Sequence, residues 1–123
     1  MTVFDEEKSD RRLNLLRRKD TEASTRLLAQ KYGITYADLG VLPVEIDAIA
    51  IVPEQEARSA EAAVFQVIGS RLKIAVRNPD KAETKALLER LGRVPYACDV
   101  FLASGLGLEH AWEFYKKVPE THE

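Results

Sequence analysis

Cysteine occurs once in these 123 residues, at Cys98, so no internal disulfide can form and no cysteine zinc site can be assembled. A chain without disulfides suits a reducing compartment. Histidine occurs twice, at His110 and His122, and neither lies in a cluster of carboxylates or thiols, which makes a poor metal set. No G-x-x-x-x-G-K-[ST] loop is present to cradle a phosphate, and no G-x-S-x-G elbow to present a serine nucleophile. No apolar run approaches the roughly 18 residues a membrane-spanning helix needs. The opening MTVFDEEKSD is acidic and lacks an apolar stretch, so it does not read as a signal peptide. The formal net charge is only -2, which gives no global pull toward nucleic acid or an anionic membrane. These absences argue against an enzyme, a metalloprotein, a nucleic-acid binder and a protein that inserts into a membrane.

What is present suits one globular domain, or one domain with an arm. The apolar fraction of 46% is ordinary, and the charged fraction of 31% is high. Residues 1–19 read as a charged arm. Asp5, Glu6, Glu7 and Asp10 precede Arg11, Arg12, Arg17, Arg18 and Lys19, an order that suits a helix macrodipole. A loosely docked helical arm fits this order, with a frayed tail as the alternative.

Asp20-Thr21 reads as the N-cap of a helix running to Tyr32, with Ala23, Leu27, Leu28 and Tyr32 toward the core and Gly33 as its C-cap. Ile34-Thr35-Tyr36 then runs extended. Pro43 suits the first turn of a short helix reaching Ala48, and Pro53 starts a second, with Glu54 and Glu56 at its positive end. Val41, Leu42, Ile46, Ile49 and Ile51 are expected to pin this stretch by packing. Ala62–Ile68 and Leu72–Val76 form a hairpin around Gly69-Ser70. Asn78-Pro79-Asp80 ends the second strand, with Asp80 as cap of a helix carrying Ala82, Ala86, Leu87 and Leu91. Residues 96–102 make a third strand. Ser104 caps a last helix with Leu108, Trp112 and Tyr115 on one stripe, stopped by Pro119. A right-handed crossover would set the third strand beside the first. The expected class is α+β: a small three-stranded antiparallel sheet packed with helices and preceded by the arm. The division is arm 1–19, domain 20–118 and tail or linker 119–123.

Chemistry is sparse. Cys98 alternates with its neighbours in YACDVFL and reads as a small buried apolar residue. The glycines of LASGLGLEH faintly suggest an anion site, but a capped turn explains them better. Arg71, Lys73 and Arg77, with Arg93, make one basic group near the hairpin; Arg11, Arg12, Arg17 and Arg18 make another. Each group taken alone reads as a solvated, salt-bridged face. Arginine is suited to fork onto carboxylate or phosphate, and Arg11, Arg12, Arg17, Arg18, Arg71, Lys73 and Arg77 are the candidates for binding a partner or ligand.

The ordered phrases Lys31-Tyr32-Gly33-Ile34-Thr35-Tyr36-Ala37-Asp38-Leu39, Pro43 to Pro53, Glu54 to Arg58, Leu72 to Pro79 and Leu102 to Tyr115 resemble the N-terminal domain of the type II secretion and type IV pilus-assembly ATPases. The resemblance covers roughly residues 20–116. It implies a non-catalytic accessory domain that couples a hexameric motor to the cytoplasmic region of an inner-membrane assembly protein. It also implies contact with the remainder of the ATPase, a cytoplasmic place beside the inner membrane, and no cofactor in this chain. ATP and Mg would belong to a downstream domain. Some members of that family bind cyclic di-GMP through a motif opening "R-L-G". Here Arg12-Leu13-Asn14 stands at such an opening with asparagine for the glycine, so no ligand residue is carried over. Cyclic di-GMP remains the alternative partner.

Overall fold

The computed structural model describes residues 3–93 and 96–118, with side chains from residue 18 onward. Nine regular elements precede a closing turn of 3-10 helix. They are α1 (Val3–Tyr32), β1 (Thr35–Tyr36), α2 (Ile46–Ile49), α3 (Glu54–Ser59), β2 (Ala62–Ile68), β3 (Arg71–Val76), α4 (Ala82–Leu91), β4 (Ala97–Leu102) and α5 (Gly105–Trp112), then the turn Glu113–Lys117.

Helix α1 is one piece of 30 residues. The expected start at Asp20-Thr21 is therefore corrected. No glycine or proline interrupts Val3–Tyr32, and without a breaker a polar residue alone does not end a helix. The stop is as expected: Gly33 takes φ +70, and Ile34 N–H reaches back to Ala29 O at 3.0 Å.

The α+β class holds, and the hairpin forms where expected, with Gly69 at φ +60. The sheet differs in detail. It has four strands in the order β1-β4-β3-β2, not three. β2 and β3 are antiparallel, whereas β4 runs parallel to both β3 and β1. β4 thus sits beside the second hairpin strand and not the first. The outer edge of β2 is already occupied. A bulge at Phe65 shifts the register between Val64 and Gln66. The Phe65 carbonyl accepts from Glu45 N–H at 3.0 Å, and the Glu45 carboxylate accepts from Val67 N–H at 3.1 Å. The segment before α2 closes that edge, so the crossover through α4 delivers β4 to the other side.

The same contact corrects the start of α2. Glu45 is its N-cap, and Pro43 lies in the extended lead-in. Pro53 does stand at the head of α3, as its N-cap. Asp80 does not cap α4. Its N–H instead donates to Asn78 Oδ1 at 2.9 Å, and Lys81 takes the cap position with no side-chain bond to the helix. The Lys81 ammonium is drawn to Glu61 (3.0 Å) and to Ser59 O (2.9 Å). Ser104 caps α5 as expected, its Oγ accepting from Gly107 N–H at 3.0 Å. That helix ends at Trp112, and Tyr115 lies on the 3-10 turn. The expected stop at Pro119 lies outside the described residues.

The core gathers Leu39, Ala48, Ile49, Val52, Ala57, Val64, Leu72, Ile74, Val76, Leu102 and Leu108, all essentially buried. Each large aliphatic side chain there contributes about 1.5–3 kcal/mol of burial. Thr84 is buried with them and donates to Ala60 O at 2.6 Å, and Trp112 Nε1–H donates to Ala62 O at 3.0 Å. Of the residues expected to pin the proline-rich stretch, Ile49 is buried. Val41, Leu42, Ile46 and Ile51 are exposed, because Leu39, Val44, Ala48 and Val52 fill the inward positions. On α4, Leu87 is buried and Ala82 and Ala86 are exposed.

Candidate interaction surface

Helix α1 meets the body through polar contacts. The residues expected to face the core, Ala23, Leu27, Leu28 and Tyr32, all lie exposed, Leu27 at 67%. Among the described side chains of α1, those buried are Glu22 and Ala29. Ala29 is small enough to let the helix approach closely. Glu22 is 7% exposed and accepts hydrogen bonds from Tyr36 O–H and from Ser104 Oγ–H, the latter at 2.5 Å. One carboxylate so ties α1 to β1 and to the cap of α5. The Arg26 guanidinium lies 5.0 Å over the Tyr36 ring. Burial, and after it the bond to Glu22, raises the Tyr36 hydroxyl above its ordinary range.

Arg18 reaches the turn after β1, with Nη2 3.9 Å from Asp38 Oδ1. The Asp38 carboxylate also accepts from Gly40 N–H at 3.0 Å. A Cβ at Gly40 would meet the tip of the Arg18 side chain, which would have to swing aside. Two adjoining depressions share Arg18, Glu22 and Asp38. One, of about 650 Å³, is bounded also by Gly107, Leu106 and His110. The other, of about 430 Å³, has Ala23 and Val41 as its apolar wall and Arg18, Lys19 and Arg26 as its cationic rim. Val41 is 72% exposed. Since Leu27 follows Ala23 by one helical turn, an apolar strip Leu27–Ala23–Val41 runs along α1 between cations.

Arg71, Lys73 and Arg77 do not join this surface. Arg71 forks onto Asp99 at 3.1 and 2.6 Å, and this pairing holds the Asp99 carboxyl below its usual range. Lys73 shares that face of the sheet, in register with Gln66 and Asp99. Arg77 stands at the far end of β3, roughly 20 Å away at about 3.3 Å per residue. It pairs with Glu61 at 3.0 Å. The expected hairpin patch is thus two separate ion-pair groups. Glu61 has φ +49, and bonds from Lys81 first and then Arg77 hold its carboxyl below its ordinary value. Arg11, Arg12 and Arg17 fall on α1, outside the described side chains.

Cys98 is half-buried rather than buried, and burial, then the charge of Asp99, pushes its thiol up, away from the thiolate a nucleophile needs. His110 is exposed, its ring edge-on to Phe114 at 5.7 Å. His122 lies outside the described residues. Among the described residues no three His, Cys, Asp or Glu side chains group to hold a metal ion, and no helix is long and apolar enough to cross a membrane. Glu22 was missed in sequence because its two partners lie 14 and 82 residues away. The only local sign was the small Ala29 seven residues on, at the same side of the helix.

No protein-family model matches the chain, and no curated protein matches it. Solved structures do. A structure of MshE with cdg is 32% identical, with a TM-score of 0.65, over 74% of this chain and 65% of that one. The chain therefore spans slightly under two thirds of the MshE chain. Two crystal forms of the N-terminal domain of XpsE share the fold at 14% identity. Their TM-scores are 0.59 and 0.57, over 94% and 84% of this chain and 86% and 74% of theirs.

Proposed function

We propose, from a chain that belongs with the N-terminal domains of the type II secretion and type IV pilus-assembly ATPases, that it is the non-catalytic accessory domain of such a motor. It ties the hexamer to the cytoplasmic region of an inner-membrane assembly protein and so works at the cytoplasmic side of that membrane. ATP and Mg belong to a downstream domain. The observation that carries the reading is the exposed strip Leu27–Ala23–Val41 beside a filled core. Apolar strips rimmed by charge mark protein contacts on soluble surfaces. Titrating the chain against the purified cytoplasmic regions of the cognate inner-membrane proteins tests it. A complex with one of them, and no ATP hydrolysis by this chain, is expected. Absence of a complex with every one of them refutes the reading.

A second reading, a domain that responds to cyclic di-GMP, is favoured by one observation: the MshE structure to which the chain is similar is described with cdg. It predicts calorimetric binding weakened by Arg→Ala changes at Arg11, Arg12, Arg17 and Arg18. A flat titration at high ligand concentration removes it.

A further inference from the structure

The two borders of the sheet are treated differently. The β2 border is closed by Glu45, as described above. On the other border, β4 runs from Ala97 to Leu102, but β1 is two residues long and pairs with Phe101 and Leu102 alone. The chain enters β1 from the turn at Gly33, so no strand of this chain lies along the first half of β4.

The backbone groups left on that half can be identified. Along a strand, successive residues aim their N–H and C=O groups at alternate borders. Ala97 N–H donates to Ser70 O, and Ala103 N–H to Val76 O, both at 2.9 Å, so the odd-numbered residues of β4 serve the hairpin. The even-numbered residues face outward, where Leu102 O accepts from Ala37 N–H at 2.8 Å. The parallel register gives Val100 O to Thr35 N–H. Tyr96 O lies across the peptide plane from Ala97 N–H, so it points outward too. Two donors, Cys98 N–H and Val100 N–H, and two acceptors, Cys98 O and Tyr96 O, have no backbone partner among the described residues. Tyr96 N–H is committed to Arg93 O at 3.0 Å. Ala97 and Tyr96 are exposed, and Cys98, Asp99 and Val100 are half-buried.

We propose that two copies of this chain join through this border, β4 against β4, antiparallel about a two-fold axis at Cys98. Each Cys98 exchanges both of its bonds with Cys98 of the second copy, and each Val100 N–H meets Tyr96 O of the second copy. The two donors and two acceptors of one copy thus match those of the other, and the contact closes on itself. Neighbouring registers fit less well. Centring the pair on Asp99 sets two carboxylates directly opposite, which destabilises. Centring it on Ala97 leaves Cys98 O without a donor, because Tyr96 N–H is already used. At Cys98, Asp99 faces Ala97 of the second copy and keeps its own fork from Arg71. Tyr96 lies across from Val100 of the second copy, a favourable aromatic and β-branched pair.

The test is a concentration series of the whole chain by sedimentation velocity, expected to pass from monomer to dimer. Amide hydrogen exchange by NMR is expected to slow with concentration at Cys98 and Val100. Asp99 and Phe101, bonded to β3, are expected to exchange slowly throughout. Cys98→Pro removes an outward N–H and leaves the β3 ladder whole; it is expected to weaken pairing at least about tenfold, since the dimer loses two bonds. Ala97→Glu sets a carboxylate opposite Asp99 of the second copy and is expected to weaken pairing with the urea midpoint unchanged, whereas Ala97→Lys is expected to tighten it. A monomer at every concentration overturns the inference, as does a dimer indifferent to the Ala97 substitutions. A monomer whose Cys98 amide slows only when the cytoplasmic region of an inner-membrane protein is added overturns it in favour of a partner's strand. The inference does not rest on the proposed function. A dimer that binds no inner-membrane protein leaves this inference standing and removes that function, and a chain that is monomeric throughout yet binds one does the reverse.

Discussion

Replacing Glu22 by alanine tests the claim that polar contacts hold α1 to the body. The carboxylate is 7% exposed and serves Tyr36 O–H and Ser104 Oγ–H. Removing it has two opposed effects. A buried charge no longer has to be desolvated, which favours the variant. Two hydroxyl hydrogens lose a charged acceptor, each such bond worth about 1.5–3 kcal/mol net. Tyr36 is only partly buried, so water replaces its lost partner. Ser104 is 2% exposed; its oxygen keeps the Gly107 bond, but its hydrogen is left without an acceptor, at about 1–3 kcal/mol. The expected net loss is about 2 kcal/mol. Glu22→Gln keeps one acceptor and is expected to lose about half as much. Urea unfolding followed by circular dichroism, with the slope held common, measures both. If Glu22→Ala proves as stable as the parent, or more so, the carboxylate is a tolerated burden and not an anchor.

Leu27→Ala is expected to change stability by less than about 0.5 kcal/mol, whereas Leu108→Ala, fully buried on α5, is expected to cost about 2–5 kcal/mol; similar losses in the same urea series would mean that α1 packs by its leucines after all. Gly33→Ala forces a side chain into φ +70 and is expected to cost about 1–2 kcal/mol, seen as a lower thermal midpoint; no shift would mean the α1 stop is made elsewhere. Tyr36 and Tyr115 both have folded pKa values raised above the ordinary 10.0, burial being the first cause for each. Above pH 10 the unfolded chain therefore releases protons that the folded chain retains. Stability is whole below that pH and falls as pH rises through it. Stability–pH curves for Tyr36→Phe and Tyr115→Phe are expected to fall less steeply there than the parent curve, and superimposable curves would refute the assignment.

The elements that sequence reasoning located are those whose signals are local. The hairpin needed only alternating apolar residues around Gly69, the end of α1 only Gly33, and the start of α5 only Ser104. Apart from the start of α1, which lacked any local breaker, the errors have a different origin, competition at a distance. α1 has two amphipathic readings, one through Leu27 and Leu28 and one through Glu22 and Ala29. The choice between them was made by Tyr36 and Ser104, which no helical period reveals. The place of β4 was decided by Glu45 on the edge of β2, and β1, at two residues, is too short to carry a periodic signal. Asp80 had the right chemistry for a cap, but the pull of Glu61 and Ser59 on Lys81 moved the helix start by one residue. Among the candidate binding residues, type was legible and grouping was not. Arg71 and Arg77 are six residues apart in sequence and sit at opposite ends of one strand, while Arg18 meets Asp38 only because β1 carries the chain back to α1.

The bond between Glu22 and Ser104 spans 82 residues, and β1 pairs with the end of β4, Thr35 opposite Phe101. These two fastenings of the first third of the chain are therefore made by its last. At roughly 5–20 residues per second, a ribosome exposes α1 and β1 for several seconds before Phe101 and Ser104 emerge. Through that interval α1 lacks its bond to Ser104 and β1 lacks its strand partner.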